Sequence, residues 1–200
     1  MPPLVIATRN AGKIKEIEEL LADLPMQLNS LNNLPEIFEP EETGATFIQN
    51  AELKARSYAL QTGVWTLADD SGLEVEALDG APGVFSARYA GVKASDEERI
   101  AKLLEELRDI ENRRARFVCA VAVADETGEI KLMAEGICDG AIALQASGEN
   151  GFGYDSIFIP KGFSATFGEL PKVVKQRISH RKQAISEIIQ QIRRFYDVLT

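Results

Sequence analysis

The residues best suited to chemistry are two adjacent carboxylates, Asp69 and Asp70, which follow the apolar run Val64–Ala68 and precede Ser71-Gly72. On a strand, neighbouring side chains point to opposite faces, so the two aspartates are expected to do different jobs. One would face a ligand at the strand's C-terminal end, where open α/β sheets hold ligands. The other would cap or orient a backbone turn, and a plain turn motif is the simpler alternative for both. An acidic pair in this position is also a good place to hold Mg²⁺ against a phosphate.

Five further constellations point the same way. Thr8-Arg9-Asn10-Ala11-Gly12-Lys13 lies between a short apolar run and a helix start. There, backbone N–H groups and the helix dipole favour an anion, and Lys13 adds a full charge. It is not a Walker loop, because the spaced glycines and the Lys-Ser/Thr pair are missing. Glu41-Glu42-Thr43-Gly44 offers carboxylates to a hard cation. Lys54, with Asn50, borders the apolar arc of a helix, so it either snorkels to water or meets an anion. Gly148 to Asp155 combines three glycines with Phe152 and Tyr154, which serve either as a stacking surface for a base or as core plugs. Lys175 is followed by Ser179-His180-Arg181, where His180 and Arg181 stand in a helix's first turn and the dipole disfavours cations. An ordinary turn, a solvated acidic loop and an exposed helix start remain the plain alternatives for these segments.

The elements that must position them follow from periodicity. Residues 3–8 are expected to form a strand. A helix follows, with Ile14, Ile17, Leu21 and Leu24 on one stripe. Residues 32–45 are expected to be a loop, and a capping-box pattern at Thr46 and Gln49 starts a helix to about Thr62. Strands are expected at 64–69 and 72–78, then a Gly/Pro-rich loop over 79–94. A second capping box, Ser95 to Glu98, opens a helix to about Arg108. Segments 114–124 and 130–139 form a hairpin turning at Asp125-Glu126-Thr127-Gly128. A short strand is expected at Ile157–Ile159, and Ser179 caps a last helix from about His180, with Ile185, Ile188, Ile189, Ile192 and Phe195 on one face. The alternation implies a single α/β domain over residues 1–200.

A net charge of −9 argues against bulk nucleic-acid binding, while leaving room for a small phosphate ligand. No apolar run approaches the roughly 18 residues of a membrane span. The first residues lack the basic flank of a signal peptide. Cys119 and Cys138 lack the spacing of a metal site, which suits reduced core thiols. A cytoplasmic protein is expected.

In order and spacing, these segments resemble the Ham1/RdgB-type inosine triphosphate pyrophosphatase family over essentially the whole chain. The carrying segments are Ala7–Lys13, Glu41–Gly44, Asn50–Ala55, Ala68–Leu73, Gly80–Gly83, Ser86–Gly91, Gly151–Asp155 and Ile178–Arg181. The resemblance implies an elongated mixed sheet with flanking helices, two lobes around a central nucleotide cleft, and a homodimer. It implies Mg²⁺-dependent hydrolysis of ITP, dITP and XTP to the monophosphate and pyrophosphate, cleansing the nucleotide pool. By position, Thr8, Asn10 and Lys13 would bind the triphosphate together with the rest of their turn, Arg9, Ala11 and Gly12, and Lys54 would help. Glu41 and Asp70 would hold Mg²⁺, with Asp70 as proton acceptor and Asp69 as the alternative base. Ser71 would touch the substrate. Phe152 would stack on the base, Gly153, Tyr154 and Asp155 would shape its pocket, and Lys175, His180 and Arg181 would read the purine. Two departures stand near the ligand: Arg9 and Lys182, where glycine is common in the family.

Two rivals differ in class or substrate. A Maf-type pyrophosphatase acting on pyrimidine or modified nucleotides shares the chemistry, but the Phe-Gly-Tyr-Asp and Ser-His-Arg segments favour the first reading. A catalytically silent nucleotide sensor would keep the lysines yet lack productive metal geometry, and the intact Glu41 and Asp70 speak against it.

Overall fold

The computed structural model describes residues 2–34 and 37–197, except for the side chains of Asn33, Tyr196 and Asp197. The apolar start forms β1 (Leu4–Ile6), buried throughout. Asn10 then caps α1 (Ala11–Leu21), its side chain accepting the Lys13 N–H. Ile17 and Leu21, one turn apart, are fully buried, as the helical stripe predicts. Next come β2 (Leu28–Ser30), α2 (Phe47–Thr62) and β3 (Trp65–Val75). The chain continues through α3 (Asp96–Glu106), β4 (Arg114–Ala124), β5 (Ile130–Ile142), β6 (Phe158–Pro160), α4 (Lys172–Ile178) and α5 (His180–Asp197).

The strands form one six-stranded sheet in the order β2-β1-β3-β4-β5-β6. It is mixed: β1 runs parallel to β2 and β3, whereas β5 and β6 are antiparallel. Local signals explain most boundaries. Thr46 accepts the Gln49 N–H at 3.3 Å, but the Gln49 side chain turns to the Ala45 N–H, so the first box closes one residue early. The Ser95–Glu98 box closes in both directions. In the hairpin turn, Asp125 Oδ1 accepts the N–H groups of Thr127 and Glu129.

Two expectations change. Residues 64–78 do not split into two strands; β3 runs unbroken from Trp65 to Val75, so Asp69 and Asp70 lie inside it and cap no turn. The extended path survives there because their buried charges are met by lysine, arginine and asparagine side chains. The second change is α4, which shows no apolar stripe in the sequence: Val173 is exposed and its one buried residue is Lys175.

The chain divides into two compact units. The first takes the chain up to Asp70, Cys119–Gly136 and the chain from Arg181; the second takes Ser71–Val118 and Ile137–His180. The core of the first packs Ile17 and Leu21 of α1 and Ile185, Ile188 and Ile192 of α5 with Leu4, Ile6, Leu67 and Val121 of the strands. The second is built on Leu73, Phe117, Ile142, Phe158 and Phe167, with Leu103 and Leu107. Each unit carries its own share of the candidate site residues.

Candidate active site

In the first unit the turn after β1 is built from its own polar groups. Thr8 Oγ1 accepts the Asn10 N–H at 3.2 Å and Asn10 Oδ1 accepts the Lys13 N–H at 3.0 Å. Asn10 therefore serves as a helix cap, which fixes the first-turn amides of α1 at an exposed end suited to an anion. Arg9 reaches away from this turn, donating to the Ile37 carbonyl at 3.3 Å.

Lys13 does not point freely outward: its Nζ lies 3.0 Å from Asp69 Oδ2. Arg181 also reaches that oxygen, Nη2 at 3.2 Å, and pairs with Glu16 through Nη1. Burial alone would raise the pKa of Asp69, but Lys13, Arg181 and Lys54 hold it well below the usual carboxylate range. Asp69 is thus a locked anion.

Asp70 is placed differently. Lys54 Nζ lies 2.8 Å from its Oδ1, and Asn50 donates to its Oδ2 at 3.2 Å. Here burial outweighs the pull of Lys54 and pushes the carboxyl above its ordinary value. Burial works against the charged form of Lys54, yet Asp70, Asp69 and Glu42 more than reverse this and keep it protonated. Two consecutive strand residues are therefore tuned in opposite directions.

The acidic loop joins this cluster through Glu42. Its Oε1 lies 3.0 Å from Lys54 Nζ, whereas Glu41, the expected metal ligand, is exposed. Asn50 is the strut between loop and strand: its Oδ1 accepts the Gly44 N–H at 2.8 Å while its amide holds Asp70. A Cβ on residue 44 would stand 2.6 Å from Asn50 Oδ1, so only glycine permits the approach.

In the second unit the glycine-rich loop is ordered by Asp155. Its Oδ2 accepts the Phe152 N–H at 2.9 Å and lies 2.5 Å from Lys175 Nζ. A side chain at position 151 would strike that carboxylate, with its Cβ 2.0 Å from Oδ2. Lys175 Nζ also stands 4.4 Å from the centroid of the half-buried Phe152 ring. The Gly153 N–H is held by Asp96 Oδ2 at 2.8 Å. Tyr154 is a core plug: it is buried, its hydroxyl donates to the Ser86 carbonyl at 2.9 Å, and burial pushes its pKa up to about 12. His180 is buried too, stacked on Phe117 with ring centroids 4.7 Å apart. Ser71 follows Asp70 on β3 and is half-buried.

The order of these segments matches a known pattern. The profile of the Ham1 family matches residues 4–191. The chain belongs to the Ham1 family. Among its Ham1 relatives, a dITP/XTP pyrophosphatase of Synechocystis sp. is 47% identical over 191 residues, 96% of this chain and 95% of that one. A HAM1 protein from Coxiella burnetii matches this fold with a TM-score of 0.89 at 43% identity, covering 97% of this chain and all of the other (100%). A nucleoside-triphosphatase / dITP/XTP pyrophosphatase from Mycobacterium abscessus gives a TM-score of 0.75 at 42% identity, over 93% of this chain and 97% of that one.

Within this Ham1 protein the sequence expectations fare unevenly. Lys13, Lys54, Asp69 and Asp70 meet in the first unit, and Phe152, Asp155 and Lys175 meet in the second. Arg181, expected to read a purine, is buried with its guanidinium taken up by Glu16 and Asp69. The sequence pattern named Glu42 only as part of its acidic loop and Asn50 only as a neighbour of Lys54, without a role for either, and it missed Asp96, hidden by its place in an ordinary capping box.

Proposed function

We propose that this Ham1-family protein hydrolyses ITP, dITP and XTP to the monophosphate and pyrophosphate, cleansing the nucleotide pool. The observation that carries the chemistry is the pairing of two lysines with two consecutive aspartates, Lys13 with Asp69 and Lys54 with Asp70. A triphosphate offers both ammonium groups a stronger anion, so Lys13, Lys54 and the capped turn Thr8–Lys13 are the phosphate-binding set. The substrate class is supported by relatives named dITP/XTP pyrophosphatase that match nearly the full chain.

Mg²⁺ fits the donors of the first unit. Asp70 and Glu42 offer hard carboxylate oxygens to one common point, now taken by Lys54 Nζ. Mg²⁺ characteristically takes one or two carboxylates plus substrate phosphates, and no larger group of potential ligands exists among the described residues. Glu42 therefore replaces Glu41 as the preferred ligand beside Asp70. A bound Mg²⁺ would neutralise phosphate charge and lower the pKa of a nearby water.

The protein's own groups divide the remaining work. Of the two aspartates, Asp70, its pKa raised by burial before the cation binds, is the better proton acceptor for the water attacking the α-phosphorus, and in that step Glu42 and the phosphates would hold the cation; Asp69, held well below the usual range, is a poor base. Asp69 instead positions Lys13. Phe152 supplies the stacking face for the base, with Gly153 and Asp155 setting its loop, and Lys175 is the donor beside it for a 6-oxo purine. Arg181 holds Asp69 from within the first unit, and His180 packs on Phe117 in the second. The enzyme acts as a homodimer in the cytoplasm.

Incubating the protein with dITP, XTP, dGTP and dATP plus Mg²⁺, and measuring pyrophosphate separately from orthophosphate, tests this reading. Pyrophosphate from dITP and XTP, abolished by EDTA, is expected. Orthophosphate alone would refute it.

A further inference from the structure

Lys54 occupies the point on which two carboxylates converge. Its Nζ lies 2.8 Å from Asp70 Oδ1 and 3.0 Å from Glu42 Oε1. Lys54 and Asp70 are both buried, and Asn50 pins Asp70 from its other oxygen and the acidic loop from Gly44. This is a seat for one cation, held in place by a strut. An ammonium and a divalent ion cannot share it, because charges of like sign at such distances repel strongly in a low-dielectric site. Emptying the seat is also costly, since two carboxylates would face each other without the ammonium between them.

We propose that Lys54 is a built-in placeholder for the divalent cation. Without nucleotide it closes the Glu42–Asp70 seat; with nucleotide it transfers to the phosphate oxygens and vacates the seat. Free metal is therefore excluded from the resting protein, and the cation enters with the triphosphate or after it. Lys13 on Asp69 repeats the device, a carboxylate holding each phosphate-binding lysine until the anion arrives. The inference rests on the metal-dependent reading given above.

Its test is Mn²⁺ binding to the nucleotide-free protein, followed by the EPR signal of free Mn²⁺. Wild type should bind weakly. Lys54→Met should bind one Mn²⁺ about tenfold more tightly or better, a gain of about 1.4 kcal/mol. Mn²⁺ should raise the melting temperature of Lys54→Met and leave that of wild type unmoved, and Glu42→Gln added to Lys54→Met should abolish the gain. Tight Mn²⁺ binding by wild type would overturn the proposal, and this titration needs no variant to fold. Equal affinity of wild type and Lys54→Met would overturn it as well. In either case cation-dependent turnover of dITP would leave the pyrophosphatase reading standing, whereas turnover without any divalent ion would remove both.

Discussion

Asp69 and Arg181 stand 112 positions apart in the chain and meet through a 3.2 Å contact between Oδ2 and Nη2. The contact is fully buried, with Lys13 on the same carboxylate oxygen and Glu16 on the guanidinium. It joins β3 to the first turn of α5. A cation in that turn is disfavoured by the helix dipole, and the two carboxylates offset the cost.

Arg181→Met is therefore expected to destabilise the fold by about 3–5 kcal/mol, because it leaves Asp69 charged, buried and short of a partner. Urea unfolding measures this. The ratio of kcat/KM for dITP over dATP should stay unchanged in Arg181→Met and fall in Lys175→Met, whose ammonium stands over Phe152. Lost selectivity with stability intact would return Arg181 to the base.

The opposed tuning of the two aspartates gives a pH signature. A base works ionised, and Asp70 has its pKa raised above the ordinary 3.8, so kcat/KM should fall as pH drops through a limb above that value. Asp70→Asn should lose about 10²–10⁴ in kcat, the usual weight of a general base. Asp69→Asn should keep the acid limb and raise KM through a loosened Lys13. For folding, Asp69 has its pKa depressed below 3.8, so its stabilisation is present above that pH and is lost as pH falls below it. Asp69→Asn should therefore flatten acid unfolding of the protein. An acid limb that vanishes in Asp69→Asn would reverse the assignment.

Gly44→Ala tests the strut. Its Cβ would collide with Asn50, break the bond from the residue 44 amide and shift Glu42 away from Lys54. A fall in kcat of about tenfold or more is expected from such a misplacement, with the melting temperature moved by only a few degrees. Asn50→Ala should match it, and wild-type turnover in both variants would show that the loop acts independently of Asp70.

The two cysteines should be inert in the folded protein. Burial pushes the Cys119 thiol up to about 12 and the Cys138 thiol up to about 11. Neither should react with a disulfide reagent at pH 8, since the thiolate is the nucleophile. Both should react in guanidinium chloride. Rapid labelling of the native enzyme would contradict the burial described for them.

Much of this was legible in the sequence because it rests on local rules. The stripe Ile17–Leu21, the Ser95–Glu98 box and the Asp125 turn are written in neighbouring residues, and the structure keeps them. The site was legible as a set of types: lysines, paired aspartates, an aromatic glycine loop. What stayed hidden was who pairs with whom across long stretches of chain. A break was expected at Asp70 and Ser71 because a buried strand is a poor place for two adjacent charges, and only the arrival of Lys13, Lys54, Asn50 and Arg181 makes it tolerable. Glu41 and Glu42 are chemically identical, so only the path of their loop separates an exposed carboxylate from one on Lys54. A short helix such as Lys172–Ile178, which buries a lysine and exposes a valine, carries no periodic signature at all.

The claim on which the account turns is attack at the α-phosphorus by a water that Asp70 deprotonates. Hydrolysis of dITP in ¹⁸O-labelled water, followed by mass spectrometry of both products, measures it directly. The label should appear in the monophosphate and be absent from the pyrophosphate, at a rate that collapses in Asp70→Asn. Label in the pyrophosphate would place the attack on the β-phosphorus and contradict the account.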